Sequence, residues 1–179
     1  DPRVTNLLDH AEKCEMPLIF HIAHQEGGMY GLIDEFGLPK LEQQLQAHPD
    51  LLLLGHSAAF WSHISGDVTA ETWGGYPKGP VADGGRIPEL MRKYPNMIGE
   101  MSAGSGYNAV SRDPDFGYAF FNEFQDQLVF GTDVCRPQNK NDVLINLKNF
   151  LEDALAKGKI SQQVFDKLTH KNAQRILKL

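Results

Sequence analysis

His21, His56 and Asp133 each close a short apolar run, in Leu18-Ile19-Phe20-His21, Leu53-Leu54-Gly55-His56 and Phe130-Gly131-Thr132-Asp133. Imidazole nitrogens and a carboxylate oxygen are the usual ligands of a catalytic zinc, which keeps one position open for water. Such an ion lets a bound water ionise near neutral pH, while a neighbouring His or Asp handles the proton. The three residues therefore fit a divalent metal, with Zn2+ the expected ion. Ser102 follows a fourth apolar run, Met97-Ile98-Gly99-Glu100-Met101. A Ser102, His56, Asp133 triad is the competing chemistry, but no G-x-S-x-G elbow accompanies it. No Cys/His spacing of the structural-zinc kind occurs either.

These residues need elements that bring them together. Residues 18–22, 51–56, 96–101 and 128–133 are near-continuous apolar runs, the pattern of strands covered on both faces as in a parallel sheet. Helical patterns alternate with them. Residues 4–15 carry Val4, Leu7, Leu8 and Ala11 on one stripe, and 39–47 place Leu41 and Leu45 at i, i+4. Residues 86–94 carry Ile87, Leu90 and Met91 and stop at Tyr94-Pro95. Residues 115–125 space Phe116, Phe120 and Phe124 by four. Residues 141–157 turn Val143, Leu144, Leu147, Phe150, Leu151 and Leu155 inward and end at Lys157-Gly158.

Strands alternating with helices give the expected fold class, α/β, built of parallel βα units with right-handed crossovers. Ligands and catalytic groups in such folds collect at the C-terminal strand ends, where His21, His56 and Asp133 fall. Residues 66–85, rich in Gly, Pro, Thr and Asp, form a long loop of the kind that is more often functional than idle. His24 lies in the first strand-end loop and is a candidate substrate contact. Trp61, Trp73, Tyr76 and Tyr107 either line a pocket or pack. His63 is expected to be structural, and His10, His48 and His170 to lie on the surface.

Composition bounds the rest. The 179 residues are 41% hydrophobic and 22% charged, as in a soluble globular domain. A net charge of -6 without a basic run argues against a nucleic-acid partner. The longest apolar run, residues 51–54, is far short of the ~20 residues that span a bilayer. Asp1-Pro2-Arg3-Val4 shows no charged segment followed by an apolar one, so no signal peptide is expected. Cys14 and Cys135, far apart and without CxxC spacing, are expected to be free thiols in a reducing cytoplasm.

The ordered series Phe20-His21-Ile22, Leu54-Gly55-His56-Ser57, Gly99-Glu100-Met101-Ser102, Phe130-Gly131-Thr132-Asp133 and the closing Asn172-Ala173-Gln174-Arg175-Ile176-Leu177 resembles the amidohydrolase superfamily. The nearest subgroup is the amidohydrolase-2, or aminocarboxymuconate-semialdehyde-decarboxylase-like, TIM-barrel proteins. The resemblance runs through the whole chain and implies the fifth to eighth strands of a (β/α)8 barrel, the C-terminal half, as a single partial domain. It implies that His21 is the fifth-strand metal ligand. It also implies that His56 is the sixth-strand histidine, which ligates a metal or activates the water. By the same resemblance Asp133 looks like the eighth-strand aspartate, both ligand and proton shuttle. His24, Ser102 and Trp61 are the residues expected to contact substrate or support the pocket.

The chain departs from the family pattern in one large respect: no H-x-H pair occurs, and His21 and His24 have the wrong spacing for one. A barrel usually takes ~250 residues, so about half of one is expected to be missing here. Four parallel strands alone leave two open edges and a bare inner face. A second copy of the chain or an N-terminal half is the expected cover. The implied activity is hydrolysis of an amide, lactone or ester of a small molecule by a metal-activated water. Non-oxidative decarboxylation on the same fold, and an inactive half-barrel that oligomerises, are the alternatives.

Overall fold

The computed structural model describes residues 1–27, 30–139 and 145–179. Asp1 caps the first helix by accepting from the Arg3 N–H, and Pro2 sits in the first turn, where its missing N–H is no loss. Helix α1 (Pro2–Lys13) leads into β1 (Leu18–Ala23), β2 (Leu32–Ile33) and α2 (Pro39–Ala47). Then come β3 (Leu53–His56), α3 (Ala58–Ser62), α4 (Arg86–Lys93) and β4 (Met97–Glu100). The remainder is α5 (Ala103–Ser111), α6 (Pro114–Glu123), β5 (Leu128–Val129), α7 (Ile145–Ala156), α8 (Gln162–Asp166) and α9 (Asn172–Leu177). A π-helical turn, Lys167–Lys171, joins α8 to α9.

The strands form one sheet in the order β2-β1-β3-β4-β5, and every pairing is parallel. The architecture is α/β, consistent with half of a (β/α)8 barrel. Because side chains alternate along a strand, Leu18, Phe20 and Leu53 face the helices and join the main core with Phe60, Trp61, Leu90, Met97 and Phe121. On the opposite face Ile98 and Val129 pack with Ile176 of α9 and the half-buried Leu52 and Leu54. Ile19 on that face stays 60% exposed.

The phenylalanine stripe of α6 packs as the spacing requires, with Phe116 stacked on Phe120 at 5.7 Å and Phe120 against Phe124 at 4.8 Å. Asn96 ties α2 to the sheet by donating to the carbonyls of Leu45, His48 and Leu51. The long loop at 66–85 is fixed by its neighbours. Asn108 and Arg112 donate to the Pro77 and Gly79 carbonyls, and Ser62 Oγ donates to the Trp73 carbonyl.

Several elements differ from expectation. The expected fourth strand is shorter: its pairing with β4 ends at Glu100–Val129, and on the side away from β4 the Phe130 N–H donates to the Leu168 carbonyl. Helix α5 was not expected: its opening Ala103-Gly104-Ser105-Gly106 is poor in helix formers, yet Ala109 and Val110 are buried and hold it in place. The edge strand β2, two residues long, has no signal a period could carry. The expected helix 141–157 is seen from Ile145; residues 141–144, with Val143 and Leu144, lie outside the described residues. Cys14 is a free, exposed thiol, and Cys135 is exposed as well. Among the described residues, no helix is long and apolar enough to cross a membrane.

Candidate functional site

Sheet register builds the centre of the site. His21 of β1 pairs with His56 of β3, and their rings stand 5.6 Å apart. Gly55 pairs with Gly99, which sets His56 beside Glu100 of β4. Glu100 is buried at 7% exposure and spends both carboxylate oxygens locally. Its Oε2 accepts from His56 Nδ1 at 2.8 Å and from Ser102 Oγ at 2.6 Å, while Oε1 accepts from the Ser102 N–H at 3.2 Å. The Glu100 carbonyl accepts from Trp61 Nε1 at 2.9 Å.

Close approach of glycine backbone seals this cluster. A Cβ on Gly131 would lie 1.8 Å from Glu100 Oε1, and one on Gly31 would lie 2.4 Å from the His21 carbonyl and 2.9 Å from His21 Nδ1. The Tyr30 ring lies 4.3 Å from that of His21. His21 Nδ1 is buried and has no hydrogen bond of good geometry, although the Tyr30 backbone is near enough to favour its protonated form. Burial, reinforced by His56, pushes the His21 imidazole below the ordinary histidine value against the pull of Tyr30 and Asp133. A neutral imidazole is the form that ligates metal.

Backbone strain gathers at the same edge. Ser57, directly after His56, has φ 123 and ψ 166, a region otherwise left to glycine. Ala103, directly after Ser102, has φ 59, and Asp133 has φ 52. Such residues cost about 1–3 kcal/mol each and cluster at functional sites. At Ser57 the side chain partly compensates by capping α3, accepting from the Phe60 N–H at 3.0 Å.

The residues singled out from sequence divide into two groups. His21, His56 and Ser102 meet as described. Asp133 lies beyond the end of β5 rather than on it, exposed in its left-handed turn, and close enough to His21 to act on its charge. Among the described residues no three His, Cys, Asp or Glu side chains converge tightly enough to hold a metal ion. The donor chemistry fits a divalent cation: two neighbouring imidazoles, one with an orphaned buried nitrogen, the other with a carboxylate behind it. The set present is an incomplete shell.

His24 stands edge-on to Trp73 at 6.0 Å, half-buried under the long loop. Trp61 is 1% exposed and faces the core, so the expected contact with substrate does not suit it; its indole instead supports the Glu100 backbone from behind. His63 is structural as expected, donating from Nδ1 to the Ala59 carbonyl and accepting from the Gly37 N–H at Nε2. His48 is not on the surface: it is buried and bonded to Glu12 at 3.2 Å. Glu100 is the residue that sequence reasoning passed over. Its signal was a lone carboxylate inside an otherwise apolar strand, which is rare without a buried partner.

The family comparison agrees with the order of these elements. The amidohydrolase family's sequence profile matches residues 6–179, which takes in β1 to β5 and every residue of the site. No curated protein and no solved structure matches the chain. Members of this family are generally metal-dependent. The chain, on that match, belongs to the amidohydrolase family.

Proposed function

We propose that the chain supplies His21, His56 and Asp133 to the divalent-metal centre, most simply zinc, of a hydrolase that cleaves amide, lactone or ester bonds with an activated water. The observation that carries this reading is the His21–His56 pair in register, with Glu100 bonded behind His56. A cation held there would supply Lewis acidity to the scissile carbonyl and lower the pKa of a nearby water. His21 and His56 would contribute neutral imidazole nitrogens. Asp133, exposed and unconstrained by any strand ladder, is suited to ligation and to taking up a proton. Tyr30 over His21, and Trp73 beside His24, would exclude water from the substrate's flanks. The absent H-x-H pair means that further ligands come from outside these 179 residues. They would come from a second copy or another part of the barrel packed on the inner face that exposes Ile19.

Metal content and turnover test this. Elemental analysis of the purified protein should find bound divalent metal that drops in His21→Ala. Asp133→Asn should abolish turnover on a panel of lactones, amides and esters while leaving the circular dichroism spectrum intact. Full metal stoichiometry in His21→Ala, or undiminished turnover in Asp133→Asn, would remove these residues from the centre. Release of carbon dioxide from aromatic carboxylates in place of hydrolysis would reassign the reaction to decarboxylation.

A further inference from the structure

We infer that Glu100 is a positioning residue that fixes the tautomer of His56, holding the proton on Nδ1 so that the Nε2 lone pair stays free for a ligand. The inference rests on the metal-site reading for its purpose but not for its geometry. A carboxylate offers only acceptors, so the 2.8 Å contact requires His56 Nδ1 to donate. Ser102 Oγ, 3.2 Å from the same nitrogen, does not compete, because its own proton goes to Glu100 Oε2 at 2.6 Å. Gly131 leaves Oε1 no room to withdraw, and the Ser102 N–H holds it from the other side. The carboxylate is therefore clamped, and the imidazole tautomer follows from it. Outer carboxylates that fix a ligating histidine in this manner typically change metal affinity 10–100-fold when removed.

The clamp makes an unusual prediction for Glu100→Gln, the least invasive substitution available. The glutamine oxygen must stay at the Oε1 position, since an amide there would face the Ser102 N–H donor and leave it buried and unsatisfied. The amide nitrogen then replaces Oε2 and donates to His56 Nδ1. His56 can accept only by moving its proton to Nε2. A change of one atom in Glu100 thus reverses the imidazole and blocks its outward nitrogen.

Long-range 1H–15N correlation spectra of the metal-free chain, recorded at about pH 8.5, above the ordinary imidazole range, read the tautomer directly. The expected result is Nδ1–H for His56 in the wild type, Nε2–H in Glu100→Gln, and Nδ1–H retained in Ser102→Ala. Zinc binding by Glu100→Gln, measured by calorimetry, should be weaker by about 10–100-fold. An Nε2–H His56 in the wild type overturns the inference whatever the variants do. So does an unchanged tautomer in folded Glu100→Gln, or a reversed one in Ser102→Ala, which would assign the control to the serine. Should Glu100→Gln fail to fold, the wild-type and Ser102→Ala spectra still decide. If the tautomers behave as expected and the wild type binds no zinc, the positioning stands and the metal reading fails.

Discussion

Replacing Gly131 by alanine puts a methyl group where the Glu100 carboxylate already lies. The new Cβ would be 1.8 Å from Oε1 and 2.9 Å from the Ser102 Cβ, against an ordinary contact of 3.4 Å or more. Either the carboxylate or the backbone must give way by roughly 1.5 Å, well beyond what a steep repulsive wall tolerates. Hydrogen bonds of 2.6, 2.8 and 3.2 Å to Ser102 and His56 do not survive such a shift. Breaking a buried, paired charge costs about 3–5 kcal/mol, and local relaxation should return part of it, leaving about 2–4 kcal/mol. At about 2–4 °C per kcal/mol for a chain of this size, Tm should fall by roughly 10 °C. Differential scanning calorimetry would measure this beside Gly75→Ala, whose Cβ meets only the Thr72 carbonyl at 3.5 Å. A Gly131→Ala Tm within about 2 °C of wild type, or a loss equal to that of Gly75→Ala, would refute the claim that Glu100 is clamped.

Two further outcomes concern stability. Hydrogen bonds from Lys93, then Arg86 and Tyr94, hold the Glu42 carboxyl at about 2, against an ordinary value of 4.5. A depressed carboxylate stabilises the fold above its unfolded value and loses that contribution as pH falls from about 4.5 towards 2. With the side chain a quarter exposed, solvent screening reduces the effect to about 1–2 kcal/mol. Urea titrations of wild type and Glu42→Gln should therefore converge only as pH approaches about 2, and separate by that amount at pH 7; a constant gap would contradict it. Ala103→Gly relieves the left-handed φ of 59. It should be neutral or stabilising by up to ~1 kcal/mol, since the strain relieved slightly exceeds the added freedom of the unfolded chain. A clear fall in Tm would show that the alanine methyl contributes packing.

The parallel α/β class was legible because four strands carried near-continuous apolar runs, and His21 and His56 could be placed at one edge from their positions alone. Glu100 was not legible. Counting it as part of an apolar run hid the one charge in β4; of its partners only Ser102 is local, while His56 lies 44 residues away. Trp61 was misplaced for a related reason: an aromatic residue near a strand end reads alike whether it faces the cleft or the core. Asp133 was assigned to a strand end because Leu128 to Asp133 is apolar until its last residues. The pairing with β4 stops at Val129 and Asp133 takes a left-handed φ of 52, and no local pattern announces where that pairing ends.

The pairing of His21 with His56 also makes the site a parity check on the sheet. Side chains alternate faces along a strand, so a slip of one residue between β1 and β3 would send His21 into the helix layer and bring Phe20 or Ile22 to the cleft. His56 would keep Glu100 but lose its imidazole neighbour. A misassembled sheet could still bury leucines and isoleucines with little penalty, since β1, β3 and β4 are otherwise apolar apart from His21, His56 and Glu100. It could not reproduce two adjacent imidazoles. Any ligand that needs both nitrogens would bind only correctly registered molecules, and so select among folded states by mass action.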